Sequence, residues 1–258
     1  AFPRAKHAVR DLPAGGARGV LTAGLAEQPG SRTEPRQNRE RCGCVLNPVQ
    51  GRGTRPARDV PAGGVPPEVK EMAELQEWME DCPVIAAVKD REGLAQCLQS
   101  EIKVVFILFG TVCNIGELVH QVKAAGRCAI VHIDLVSGLS AKEISVDFIR
   151  KYTEADGIIS TKPALISRAA ELGLYTVQRF FVIDSMALAN VTRHQGACKP
   201  DFIEILPGTM PKIFRKICQE TAVPVIAGGL ISDKEDIMAA LSAGACAIST
   251  TNPQVWFM

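Results

Sequence analysis

Val223-Pro-Val-Ile-Ala-Gly-Gly-Leu-Ile-Ser-Asp-Lys-Glu-Asp-Ile-Met-Ala-Ala-Leu-Ser-Ala-Gly-Ala-Cys-Ala-Ile-Ser-Thr250 reads as a strand, a glycine turn, a helix and a second strand. Val223 to Ala227 is a short apolar β-rich run. Ser232 or Asp233 can cap a helix running from Lys234 to Ala243, and Gly244 follows its last turn. Cys246 to Ser249 then returns to strand character. A helix between two short buried strands is the connection that parallel pairing requires.

The same unit repeats upstream. Strand candidates are Val84 to Val88, Val104 to Phe109, Ala129 to Leu135, Gly157 to Ser160, Tyr175 to Ile183 and Phe202 to Leu206. Helical stretches between them are Glu92 to Gln99, Ile115 to Ala125, Ala141 to Thr153, Ala164 to Leu172, Ser185 to His194 and Pro211 to Glu220. Asn114 and Ser140 stand where amino-terminal caps are needed, and Gly126 and Gly173 follow helix ends. Eight strands alternating with seven helices predict an α/β fold, a (β/α)8 TIM-type barrel whose last helix is missing or reduced to the Pro253 to Met258 tail. A doubly wound open sheet is the alternative. Lys89-Asp90-Arg91-Glu92-Gly93 stands where a dinucleotide-binding sheet would carry its glycine fingerprint, which favours the barrel.

This barrel pattern begins near Met72. Residues 1–71 hold 12 Lys and Arg against 7 Asp and Glu, and the remaining residues 17 against 21. Rich in Arg, Pro, Gly and Ala and without apolar periodicity, residues 1–71 read as a disordered basic leader. Met72 is the first methionine, and codons for Glu68-Val69 can spell a purine-rich ribosome-binding sequence before it, so an over-extended translation start is expected. The other reading is a basic tail that helps to hold RNA. The two domains are therefore 1–71 and 72–258. The acidic excess of the second excludes a broad nucleic-acid clamp.

The nine cysteines contain no Cys-x-x-Cys pair, and those in the barrel region read as small core residues of a reducing, cytoplasmic environment. Cys42-Gly-Cys44 has no accompanying ligand cluster, so no metal is expected. No apolar stretch is long enough for a membrane span.

Function in such barrels collects at the carboxyl ends of the strands, with phosphate commonly on the seventh and eighth loops. Gly228-Gly229 would let backbone amides approach an anion, and Ser249 and Thr250 offer hydroxyls besides amides. These four are the expected phosphate-binding residues. Lys89, Asp134, Ser160, Lys162, Arg179 and Glu204 stand at strand ends where a packed barrel would prefer Val, Ile or Leu, an inventory that suits a polyol phosphate. For Arg179 and Glu204, within their strands, an internal ion pair is an equal reading. His132 is expected to be a hydrogen-bonded core residue, and His120 and His194 helix-surface residues.

These residues resemble the glycerol-3-phosphate-responsive antiterminators of glycerol uptake operons. The resemblance rests on Pro83-Val-Ile-Ala-Ala-Val-Lys89, Val131-His-Ile-Asp-Leu135, Gly157-Ile-Ile-Ser-Thr-Lys162, Gln178-Arg-Phe-Phe-Val-Ile-Asp-Ser185 and Phe202-Ile-Glu-Ile-Leu-Pro-Gly208. Ile226-Ala-Gly-Gly-Leu230, Ala247-Ile-Ser-Thr250 and Trp256 complete it. Single motifs here are weak, but their order and the run ending at Gly208, which joins the ligand-binding candidates, are specific. The resemblance implies a regulator that takes glycerol 3-phosphate as effector and acts on leader mRNA of glycerol-utilisation genes, without cofactor or membrane, and allows a homo-oligomer. An RNA contact would then be local, with Lys212, Arg215 and Lys216 on one helix as candidates. The alternatives are a barrel enzyme acting on a small sugar phosphate, an isomerase or lyase with Lys89 or Lys162 as base or Schiff-base amine and Asp134 as acid, and a sensor that controls a protein partner.

Overall fold

The computed structural model describes residues 72–194 and 199–258. Its elements are α1 (Met72–Asp81), β1 (Val84–Val88), α2 (Arg91–Cys97), β2 (Val104–Ile107), α3 (Ile115–Ala124), β3 (Cys128–His132), α4 (Ile144–Tyr152), β4 (Gly157–Ser160), α5 (Pro163–Glu171), β5 (Tyr175–Phe181), α6 (Ser185–His194), β6 (Phe202–Leu206), α7 (Pro211–Glu220), β7 (Val225–Gly228), α8 (Lys234–Ser242) and β8 (Ala247–Thr250). The eight strands form a closed parallel barrel in sequence order, with β1 paired to β8 through Val84 opposite Ile248. The expected barrel is what forms. Its last helix is a short 3-10 turn, Pro253–Phe257, anchored by buried Val255 and Trp256 and by the bond from Trp256 Nε1 to the Thr250 carbonyl at 3.0 Å.

Alternation sorts the strand residues into two faces. Ile85, Ala87, Val104, Phe106, Cys128, Ile130, Ile159, Tyr175, Val177, Phe202, Ile226 and Ala247 form one buried cluster, which fills the barrel interior. Their neighbours, such as Val105, Val131, Ile158, Ile205 and Ala227, pack outward against the helices. Leu75 and Met79 of α1 join the interior cluster. Since α1 directly precedes β1, it packs against the amino-terminal mouth of the barrel.

Several local expectations need correction. Helix α1 was not anticipated. Strand β3 stops at His132, and Asp134 lies in a 3-10 turn, Ile133–Leu135. Asn114 makes no side-chain cap on α3; its Oδ1 instead accepts from the Thr111 amide at 2.7 Å. Helix α4 starts at Ile144 rather than Ala141, so Ser140 is not its cap. Asp233 does cap α8, accepting from the Asp236 amide at 2.9 Å. The leader, Cys42-Gly43-Cys44 and the side chain of His194 lie outside the described residues. No helix among the described residues is long and apolar enough to cross a membrane.

Candidate functional site

Two residues beyond the last apolar interior positions, the barrel lining changes character. Ala87 is followed on the same face by Lys89, Ile130 by His132, Val177 by Arg179, Phe202 by Glu204, Ile226 by Gly228 and Ala247 by Ser249. Alternation therefore gathers Lys89, Arg179, Glu204, Gly228 and Ser249 at the carboxyl-terminal mouth, and it adds His132 to them.

Asp134, Ser160, Thr161 and Lys162 make one knot at the ends of β3 and β4. Asp134 accepts from the Thr161 amide at 2.8 Å, from Lys162 Nζ at 2.9 Å and from the Ser160 and Thr161 hydroxyls at 3.1 Å. Burial alone would raise the Asp134 carboxyl, but the Thr161 amide, the Lys162 ammonium and the two hydroxyls together hold it below its ordinary value. Lys162 is half-exposed, with its ammonium paired yet open to a further anion.

Arg179 and Glu204 stand opposite each other in the β5–β6 register and form an ion pair at 2.5 Å, with Glu204 fully buried. The second Glu204 oxygen accepts the Ser249 hydroxyl at 2.5 Å. Only Nε of Arg179 is engaged; among the described residues its two Nη atoms have no hydrogen-bond partner. The pair is thus internal, as one of the two expected readings had it, and it still presents spare donors.

His132 is the buried core residue expected, 3% exposed, but among the described residues its Nδ1 has no hydrogen-bond partner. Such an atom costs the fold about 1–3 kcal/mol. Burial, then the neighbouring Arg179 charge, push the imidazole down from 6.5 to about 4.

The glycine loop completes the mouth. A Cβ on Gly228 would lie 2.6 Å from Glu204 Oε1 and 2.9 Å from Ser249 Oγ, so only glycine lets β7 pass this network. Gly229 and Leu230 follow at φ +74° and +60°, a left-handed pair. The Gly229 carbonyl accepts the Gly208 amide at 3.0 Å, while the amides of Gly229 and Leu230 donate to no described group. The hydroxyls expected beside them are already committed as donors, Ser249 to Glu204 and Thr250 to the Ile231 carbonyl at 2.7 Å. Lys89 is exposed and lines a small cavity of about 220 Å³ with Ala87, Thr251 and Trp256.

The His132 environment has a consequence for acid stability. Between about pH 6.5 and 4 the unfolded imidazole is protonated while the folded one stays neutral, so stability should fall as pH falls through that window. The loss at its foot is about 3 kcal/mol. Urea unfolding across pH 7 to 4 should show this slope in the native chain and a flatter one in His132→Leu.

The sequence of the barrel matches a family model described as glycerol-3-phosphate responsive antiterminator over residues 84–256. The uncharacterized protein YgcP of Escherichia coli K12 is 43% identical over 174 residues, which cover 67% of this chain and 91% of that protein. A glycerol uptake operon antiterminator regulatory protein of Listeria monocytogenes is 32% identical, superposes with a TM-score of 0.66, and is matched over 68% of this chain and 95% of its own. A glycerol uptake operon antiterminator-related protein of Thermotoga maritima, also 32% identical, gives 0.60 over 68% and 98%. With this ordered set of motifs on this barrel, the chain belongs to the glycerol-3-phosphate responsive antiterminator family.

Proposed function

We propose that the barrel is a non-catalytic sensor: glycerol 3-phosphate binds at the carboxyl-terminal mouth, and the liganded state acts on leader RNA of glycerol-utilisation genes so that transcription passes a terminator. The observation that carries this reading is the set of uncommitted donors around the mouth, the Arg179 Nη atoms and the Gly229 and Leu230 amides, beside the Asp134–Lys162 pair. Amides of a left-handed turn are suited to phosphate oxygens, and Lys162, Arg179 and Lys89 supply the positive charge. Ser249 and Thr250 contribute through their place in the loop, their hydroxyl protons being spent. Gly208 braces the turn, Glu204 holds Arg179 in position, and Asp134 and Ser160 face the polyol end.

A regulator of this kind works in the cytoplasm, and its effector must bind one conformational or oligomeric state better than the other. For RNA, α7 exposes Lys212, Arg215 and Lys216 opposite buried Phe214 and Ile217. Against an enzyme using Lys162 as base or Schiff-base amine, its Nζ is already engaged by Asp134 at 2.9 Å.

Calorimetric titration of the full chain with glycerol 3-phosphate, glycerol, inorganic phosphate and a panel of sugar phosphates tests the reading. Selective binding of glycerol 3-phosphate without turnover is expected, followed by tighter association with leader RNA that weakens in Lys212→Ala/Arg215→Ala/Lys216→Ala. Turnover of a sugar phosphate, or preference for one, would return the barrel to the enzymes.

A further inference from the structure

We propose that His132 is the residue that reads a hydroxyl of the bound ester: its imidazole, whose Nδ1 has no hydrogen-bond partner among the described residues, bonds that hydroxyl. The inference rests on the phosphate-ester reading of the mouth and assigns the ligand's uncharged end within it.

Three observations converge on the ring. Along β3, Cys128 and Ile130 belong to the interior cluster, so the two-residue period puts His132 on the same face, one step nearer the mouth. In the β3–β4 register His132 stands opposite Ile159, also an interior residue, and the chain leads on from these two positions to Asp134 and Ser160. On the far side Arg179 is close enough for its charge to act on the imidazole. The ring therefore lies between the Asp134–Ser160–Lys162 knot and the Arg179–Glu204–Ser249 network, at the depth where apolar lining gives way to polar.

At that depth a histidine is an unusual choice for a structural residue. A leucine or isoleucine would continue the packing of Ile130 without leaving a polar atom unmet, and buried polar atoms are almost always bonded. The ring is uncharged, so it attracts no phosphate, and Lys162 and Arg179 already serve that purpose. A neutral imidazole offers one donor and one acceptor, and a hydroxyl satisfies either nitrogen whichever tautomer is present. The ligand chemistry that fits is thus an alcohol carried on an anion: phosphate outward on the glycine turn and the cations, hydroxyl inward on His132. Sites that bond a substrate hydroxyl discriminate strongly against the analogue lacking it, because the buried partner is left unpaired.

The test is calorimetry on the full chain with glycerol 3-phosphate, propane-1,3-diol monophosphate, ethylene glycol monophosphate and inorganic phosphate. The native protein is expected to prefer glycerol 3-phosphate over at least one deoxygenated ester by about 10- to 100-fold. His132→Leu should erase that preference and leave inorganic phosphate affinity within about twofold, while His132→Asn, which keeps a polar atom near Nδ1, should retain part of it. Ligand-free His132→Leu should also melt about 2–6 °C higher, since an unmet polar atom is replaced by an apolar one. A native preference that survives unchanged in His132→Leu overturns the assignment while leaving the phosphate-ester site intact; failure of every ester to bind the native chain overturns the site reading and the assignment with it.

Discussion

Replacing Glu204 with alanine should destabilise the barrel by about 3–5 kcal/mol, the cost of leaving a buried guanidinium without its counter-charge. Glu204 is fully buried and holds two groups at once, Arg179 through Oε2 and Ser249 through Oε1. Arg179 is itself only 8% exposed, so water replaces the carboxylate poorly. Glu204→Gln preserves shape and can still accept from Ser249, and it should lie between the native chain and Glu204→Ala. The informative variant is Arg179→Met on the Glu204→Ala background. Removing both charges should recover most of the loss, because an apolar pair of similar volume is often as stable as a buried ion pair. Urea unfolding of the native chain, Glu204→Ala, Arg179→Met and the double variant gives the coupling directly. Additive losses would mean that the two side chains stabilise the fold independently, whatever their distance.

That pair also shows how far the sequence could be read. Arg179 and Glu204 were visible as charged residues within apolar strands, but their partnership depends on the β5–β6 register, which sets them opposite each other. Alternation alone, without register, left an internal pair and two ligand contacts equally open. The eight strands were legible because each is a short apolar run closed by glycine or polar residues, and parallel pairing in sequence order follows from the helices between them. Helix α1 was missed although Met72, Leu75, Trp78 and Met79 recur at helical spacing, because no strand precedes it to mark the alternation that exposed the other helices. Ser249 and Thr250 were sound choices of residue type, yet Glu204 and the Ile231 carbonyl reach their hydroxyls first, and those partners are 45 and 19 residues away. That His132 lacks the hydrogen bond expected of a core residue was illegible, because an unmet nitrogen cannot be seen until every neighbour is in place. Its only sequence signal was a polar residue on the interior face, in step with Arg179 and Glu204.

Gly229→Asp should weaken glycerol 3-phosphate binding about 100-fold, whereas Gly229→Asn should weaken it only a few-fold. Both residues tolerate the left-handed conformation that Gly229 adopts at φ +74° better than other side chains do. Both place a Cβ 3.2 Å from Leu206 Cδ2, the end of a side chain that can move. Strain and crowding are thus nearly matched, and the two variants differ mainly in charge. A carboxylate about 5 Å from a phosphate costs about 3 kcal/mol at an effective dielectric of about 20, which is roughly two orders of magnitude in affinity. The comparison isolates the claim that phosphate sits on the Gly228–Gly229 turn. Raising salt should narrow the gap between the two variants, because an exposed charge pair is screened while strain is not. Equal losses in Asp and Asn would mean that the turn acts through its shape alone. In that case the anion would be held by Lys162 and Arg179, and Lys162→Met would become the variant that removes binding.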